Sequence, residues 1–270
     1  MAPILHSHPQ PKELAQIVRD AGMLALENFR PGKILESWDK TPGHPVTKTD
    51  LAVDGYLREA LGRLDKDAGW LSEESDNAAS RHDDQPMWIV DPIDGTRDFI
   101  RGRNGWAVSV AYCVGGVPQL AALYAPAKDQ MWMAVRGEGA DCNGQALSGS
   151  QRQSLNGARV PTDSLSEADN ILSMVEKPNS IALRMAMIAS DQADLVATLR
   201  WGYAWDLAAA ALIVLESGAM ATEATGKPLI FTSPRPVHFG VLCSAEGIHD
   251  AALAHLRPRA EKISAQSQQG

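Results

Sequence analysis

Apolar residues recur in the first stretch at Leu14, Ile17, Val18, Met23, Leu24 and Leu26. This spacing predicts an amphipathic helix over about Pro11 to Phe29, stopped by "RPG" at Arg30 to Gly32. A second helix is expected over "DLAVDGYLREALGRL", with Asp50 at its start, where a carboxylate satisfies free backbone N–H groups. "WLSEES" predicts a short strand ending in carboxylates, and "MWIVDPIDGT" a strand running into a tight turn. From Trp106 to Gly144, apolar and β-branched runs are broken by Gly115-Gly116, Pro126 and Gly137 to Gly139, which predicts a meander of strands. After about Ser150 the pattern changes. "SIALRMAMIASDQADLVATL" predicts a helix then a strand, "WDLAAAALIVLESGA" a helix closing near Gly218, and "VLCSAEGIHDAALAHL" a strand then a helix. The order predicts an α/β protein, with a mixed α+β half over residues 1–150 and an α/β half over 151–270. The polar end, "RPRAEKISAQSQQG", is expected as a frayed tail.

Composition narrows the function. The chain has 270 residues, enough for one large domain or two intimately packed halves. A formal net charge of -8 argues against a nucleic-acid polymer or a membrane surface as partner, since both select basic faces. An anionic small molecule would need cations recruited locally. Cys113, Cys142 and Cys243 are scattered without metal-type spacing, which predicts a reducing, cytoplasmic setting. The start shows no basic segment followed by an apolar run, and no apolar run reaches the length of a membrane span. The seven histidines show no zinc-type pairing; His6 and His8 fall in an N-terminus expected to be mobile, and "RHDDQ" reads as a solvated loop.

The acidic residues carry the chemistry. Asp50, Glu73-Glu74, Asp91 with Asp94, and Asp206 each lie at the edge of an apolar segment. Singly, each has a local reading: helix cap, solvated loop charge or turn residue. Together they read differently. "DPIDGT" puts two carboxylates on one turn that proline partly fixes. Converging carboxylates repel and raise one another's pKa, and hard divalent cations remove that conflict. An oxygen-only set suits Mg²⁺, with Mn²⁺ as substitute. Such a site would let an acidic protein hold a phosphate.

In these segments the chain resembles the inositol monophosphatase superfamily of metal-dependent, lithium-sensitive phosphatases. "WIVDPIDGT" is similar to its central motif, "SEES" to its Gly-Glu-Glu segment, and "AWDLAAAALIVLESGA" to its Trp-Asp-x-Ala-Ala segment. "VTKTD" and "GEGADCNGQ" match two further motifs in order, so the resemblance covers about residues 12 to 255. It implies a layered αβαβα sandwich and a phosphomonoesterase using two or three metal ions. Glu73, Asp91 and the Ile93 carbonyl match the ligands of a first metal; Asp91, Asp94 and Asp206 match those of a second. A third ion would lie near Glu73. Gly95 and Thr96 match the residues whose amides hold phosphate, and Asp50 with Thr96 the pair that orients the attacking water. The implied partner is a small phosphate ester, and since family members are often dimers, a homodimer is expected.

Three positions depart from the family pattern. Ser72 stands where the family carries glycine, and "LESGA" replaces Glu-Ala-Gly-Gly. Before Trp205-Asp206 the chain has Arg200, Trp201 and Tyr203, where inositol phosphatases often carry an acidic residue. Arg200 either pairs with a second phosphate or faces solvent, and Trp201 or Tyr203 either stacks on a base or packs internally. Lys40 and Lys48 either reach phosphate or lie on the surface. "GTRDFIRG" is more similar to the 3'(2'),5'-bisphosphate nucleotidase (CysQ-like) branch. The expected substrate therefore leans to a nucleotide bisphosphate. Inositol 1-phosphate and histidinol or sugar phosphates remain alternatives, as does a non-catalytic metal- or phosphate-binding regulator.

Overall fold

A computed structural model describes residues 9–75, 85–231 and 237–267. The His6/His8 pair and all of "RHDDQ" except Gln85 lie outside the described residues. The first half runs α1 (Pro11–Asn28), β1 (Trp38–Thr41), β2 (His44–Val46), α2 (Lys48–Leu64), β3 (Gly69–Ser72), β4 (Met87–Asp94), α3 (Thr96–Ile100), β5 (Ala107–Val114), β6 (Val117–Ala125), β7 (Gln130–Val135), β8 (Gly139–Cys142) and β9 (Gln145–Ala146). The second half runs β10 (Arg159–Pro161), β11 (Ser173–Val175), α4 (Ile181–Ala189), β12 (Leu195–Tyr203), α5 (Ala204–Glu216), β13 (Met220–Thr222), β14 (Val237–Ser244) and α6 (His249–Ser267).

Strands β3 to β9 form one seven-stranded sheet in sequence order. β3 pairs parallel with β4, and every later pair is antiparallel, which is the expected meander. Alternate side chains along β4 go to opposite faces. Trp88 and Val90 pack with Leu14, Val18, Val53 and Leu57 of α1 and α2. Ile89 packs on the other face with α4 and α5. The Ala-rich α5 has ten of its 13 residues buried, because a helix between two sheets has no solvent face. Its far side meets Val196, Val241 and Cys243 of a three-stranded sheet ordered β12-β14-β13. Beyond that sheet, Ala252 and Leu256 of α6 cover Leu195 and Leu242. The layers therefore run helix, sheet, helix, sheet, helix. After residue 150 the order is β10, β11, α4, β12, α5, β13, β14, α6, and the three-stranded sheet is antiparallel.

The C-terminal segment differs from the expectation. α6 continues through "RPRAEKISAQS" to Ser267, past Pro258, rather than fraying from Arg257. Ala252, Leu256 and Ala260, four residues apart, give it one buried stripe on the sheet. Among the described residues no helix is long and apolar enough to cross a membrane.

Candidate active site

The acidic residues converge where β3, β4, α3 and α5 meet. β4 is buried at all eight positions, and its pairing with β5 slips between Asp91 and Asp94. At that slip one Asp91 oxygen accepts the Ile93 amide at 2.9 Å. Its other oxygen, Oδ2, is buried and has no hydrogen-bond partner among the described residues. Glu73 directly follows β3, and Asp206 lies in the first turn of α5, where it accepts the Tyr203 amide at 3.3 Å. Carboxylate oxygens of Glu73, Asp91 and Asp206 lie within 4.8 Å of one another. Asp94 ends β4 beside them. Its Oδ2 accepts the Ser180 hydroxyl at 2.5 Å and the Ala182 amide at 2.8 Å, so the first turn of α4 offsets part of its charge.

Burial and mutual repulsion show in the acidities. Asp91 is pushed far above the usual carboxylate range by burial, then by Glu73, Asp94 and Asp206. Asp206 is raised in the same sense by burial, Asp94 and Glu73. Asp94 rises to about 6, burial outweighing its bonds to Ser180 and Ala182. An unpartnered buried carboxylate oxygen amid three other acids is strongly unfavourable unless a cation balances it. All donors are oxygen. The residues present therefore fit a hard divalent cation.

Asp50 is the third residue of α2 rather than its cap. Thr47 caps the helix, and Asp50 closes the reciprocal bond, its Oδ2 accepting the Thr47 amide at 2.9 Å and the Thr47 hydroxyl at 2.5 Å. Its Oδ1 lies 3.3 Å from the Thr96 hydroxyl, which also donates to the Ile93 carbonyl at 3.0 Å. Burial lifts Asp50 to about 6. Gly95, at φ 92°, is the residue preceding α3, its N-cap. A Cβ there would come within 2.7 Å of the Gly105 carbonyl oxygen, so the left-handed turn and the close approach both require glycine.

Glu73, Asp91, Asp94, Gly95, Thr96, Arg200, Trp201 and Asp206 line one cavity of about 470 Å³. Asp50 reaches it through Thr96, and Ile93 is buried behind it. Trp201 is 42% exposed and lies edge-on against Phe239; Tyr203 stacks on Trp205 at 4.6 Å. Both aromatics thus pack on a neighbour and still present a surface to solvent.

Three features went unread in the sequence. Arg184, within the apolar helix α4, lines the cavity and donates to the Asn179 and Ser180 carbonyls. Its pKa is lowered by burial and by the charge of Arg200. An arginine inside "IALRMAMIA" was the available signal. Ser180, which braces Asp94, is the second. The β1–β2 hairpin is the third: it carries Lys40, whose ammonium bridges Glu73 at 3.1 Å and Glu74 at 2.6 Å. Glu74 is therefore no solvated loop charge; its side chain is 2% exposed, and burial raises it to about 7 despite Lys40.

The five-layered α/β scaffold thus gathers oxygen donors at strand and helix ends, a set suited to a hard divalent cation. The chain belongs to the inositol monophosphatase family, which matches residues 11–262. Among its relatives, inositol monophosphatase 1 of Rattus norvegicus is 28% identical over 251 residues, covering 86% of this chain and 90% of the relative. The Nus factor SuhB of Escherichia coli is 28% identical over 235 residues, covering 81% and 86%. The solved IMPase of Thermotoga maritima superposes with a TM-score of 0.80 at 26% identity, over 93% of this chain and 98% of that one. The protein is accordingly a phosphoric monoester hydrolase of a metal-dependent family.

Proposed function

We propose that the protein hydrolyses a small phosphate ester with Mg²⁺ held by this carboxylate cluster, and that its substrate is a 3'(2'),5'-bisphosphate nucleotide. The convergence of Glu73, Asp91 and Asp206 around the unpartnered Asp91 oxygen carries the first part. Glu73, Asp91 and the Ile93 carbonyl would hold one ion, and Asp91, Asp94 and Asp206 a second. Bound divalent ions supply charge neutralisation at the phosphate and lower the pKa of water. The chain's own groups do the positioning. Backbone N–H groups of Gly95 and Thr96 donate to phosphate oxygens. Asp50 and the Thr96 hydroxyl orient the attacking water; near neutral pH Asp50 is largely ionised and able to accept its proton. Ser180 and Ala182 fix one oxygen of Asp94 and so direct the other.

Three arginines line this one cavity of an acidic protein, of which Arg97 donates to the Gly43 carbonyl at 2.8 Å; the second part rests on the other two, Arg184 and Arg200. Their mutual repulsion is relieved by an anion between them, and a phosphate distal to the scissile one has that charge and the right donors. Trp201 offers an exposed ring for a base. Arg200→Ala should lower kcat/KM on 3'-phosphoadenosine 5'-phosphate by about 10- to 150-fold, the loss of one charge-assisted contact of roughly 1.5–3 kcal/mol. The loss on inositol 1-phosphate should be much smaller. Equal losses on the two substrates, or a wild type that prefers inositol 1-phosphate, would remove the nucleotidase reading and leave the phosphatase reading in place.

A further inference from the structure

Glu73 sits on a turn whose two flanking hydroxyls are tied to one buried carboxylate. Ser72, fully buried at the end of β3, donates to Asp54 Oδ1 at 2.5 Å and accepts the Glu74 amide at 3.3 Å. Ser75 donates to Asp54 Oδ2 at 2.6 Å and accepts the Trp70 indole N–H at 3.0 Å. Asp54 is buried on α2, one turn beyond Asp50. One face of one helix thus supplies both the carboxylate that meets Thr96 and the carboxylate beneath the Glu73 turn.

We infer that Asp54, acting through Ser72 and Ser75, is a positioning residue that sets the affinity of Glu73 for a divalent cation. The inference rests on the reading of Glu73 as a ligand. Its physical basis is repulsion. Carboxylate oxygens of Glu73, Asp91 and Asp206 lie within 4.8 Å of one another, and Asp94 ends β4 beside them. That repulsion acts against the hydrogen bond by which the Glu73 amide donates to the Val90 carbonyl of β4 at 3.2 Å. Lys40 restrains the turn from the hairpin side, and the two serine hydroxyls restrain it from the α2 side. Residue 72 supplies the first of these hydroxyls. A glycine there has neither the hydroxyl nor its two bonds and adds backbone freedom. The serine in this chain preorganises the turn before the cation arrives.

Titration of chelator-stripped protein with Mn²⁺, free ion being read by electron paramagnetic resonance, tests this. Ser72→Ala should weaken Mn²⁺ binding about 10-fold, the scale for losing a partner of a metal ligand. The Mg²⁺ concentration giving half-maximal phosphate release should rise by a similar factor, with kcat at saturating Mg²⁺ within about threefold of wild type. The control is Ser150→Ala, which removes the same kind of bond, a buried serine donating to Asp194 at 2.5 Å, outside the cavity. It should leave Mn²⁺ affinity unchanged. Ser75→Ala carries the same test if Ser72→Ala does not fold. Wild-type affinity in the Ser72 or Ser75 variant, or an equal loss in Ser150→Ala, overturns the inference alone. Absence of Mn²⁺ binding in wild type removes the ligand reading of Glu73, and this inference with it.

Discussion

Asp91 has one oxygen on the Ile93 amide and one oxygen buried without a partner. That imbalance makes stability depend on pH in an unusual direction. Carboxylates raised by burial give the metal-free folded chain more bound protons than the unfolded chain above the ordinary carboxylate pKa, about 4. The stability they contribute is complete below that pH. It is lost as pH rises through about 6 for Asp50 and Asp94 and about 7 for Glu74. His249, held below its usual value by burial, opposes this at the acid end. Thermal melts in chelator should therefore show a higher Tm at pH 5.5 than at pH 8, and Mg²⁺ should flatten or reverse that trend; a metal-free Tm that rises with pH contradicts the assignment. The acidic set was legible in the sequence because each member lies at the edge of an apolar segment. Arg184 and Ser180 were not, because their roles come from α4 docking its first turn on Asp94, a contact across 86 positions of chain.

Each element that positions the site does so through its end. β4 delivers Asp91 and Asp94, α5 delivers Asp206 from its first turn, and α2 delivers Asp50 from its capping box. The tightest joint is Gly95, between β4 and α3. An alanine there would be held at positive φ, with its Cβ 2.7 Å from the Gly105 oxygen and 2.9 Å from the Ser180 nitrogen. Gly95→Ala should cost about 1–3 kcal/mol from backbone strain, with overlap adding to it. Phosphate release should fall more than stability does, because Thr96 moves with the turn; urea unfolding beside an activity assay measures both. Helices α1, α2 and α5 and the meander were legible from their periodicity, whereas the second half of α6 was not. The β1–β2 hairpin was not, since all four β1 residues are exposed and show no apolar alternation. The start of α2 was displaced from Asp50 to Lys48 because a threonine hydroxyl, not the carboxylate, caps it.

At the scale of the molecule, α5 is the shared layer. It packs on the seven-stranded sheet on one side and the three-stranded sheet on the other, while its first turn holds Asp206. The cavity is therefore lined by Glu73, Asp91, Asp94 and Thr96 from the turn after β3, from β4 and from α3, and by Arg184, Arg200 and Asp206 from α4, β12 and α5. The charge of -8 is compatible with this arrangement: the acidic groups would gather cations, and Arg97, Arg184 and Arg200 line the same cavity. The layer order followed from the pattern of elements together with family resemblance; which side chains reach across the layers did not, because nothing in local periodicity encodes it. The central claim is that the carboxylate cluster works only when cations fill it. Phosphate release by chelator-stripped wild type and Asp91→Asn, followed as Mg²⁺ is added back, tests it most directly. Stripped wild type should release no phosphate and recover with Mg²⁺, and a folded Asp91→Asn should stay about a thousandfold slower, some 4 kcal/mol, at every Mg²⁺ concentration. Turnover by the stripped enzyme, or near-normal kcat in Asp91→Asn at saturating Mg²⁺, would contradict it.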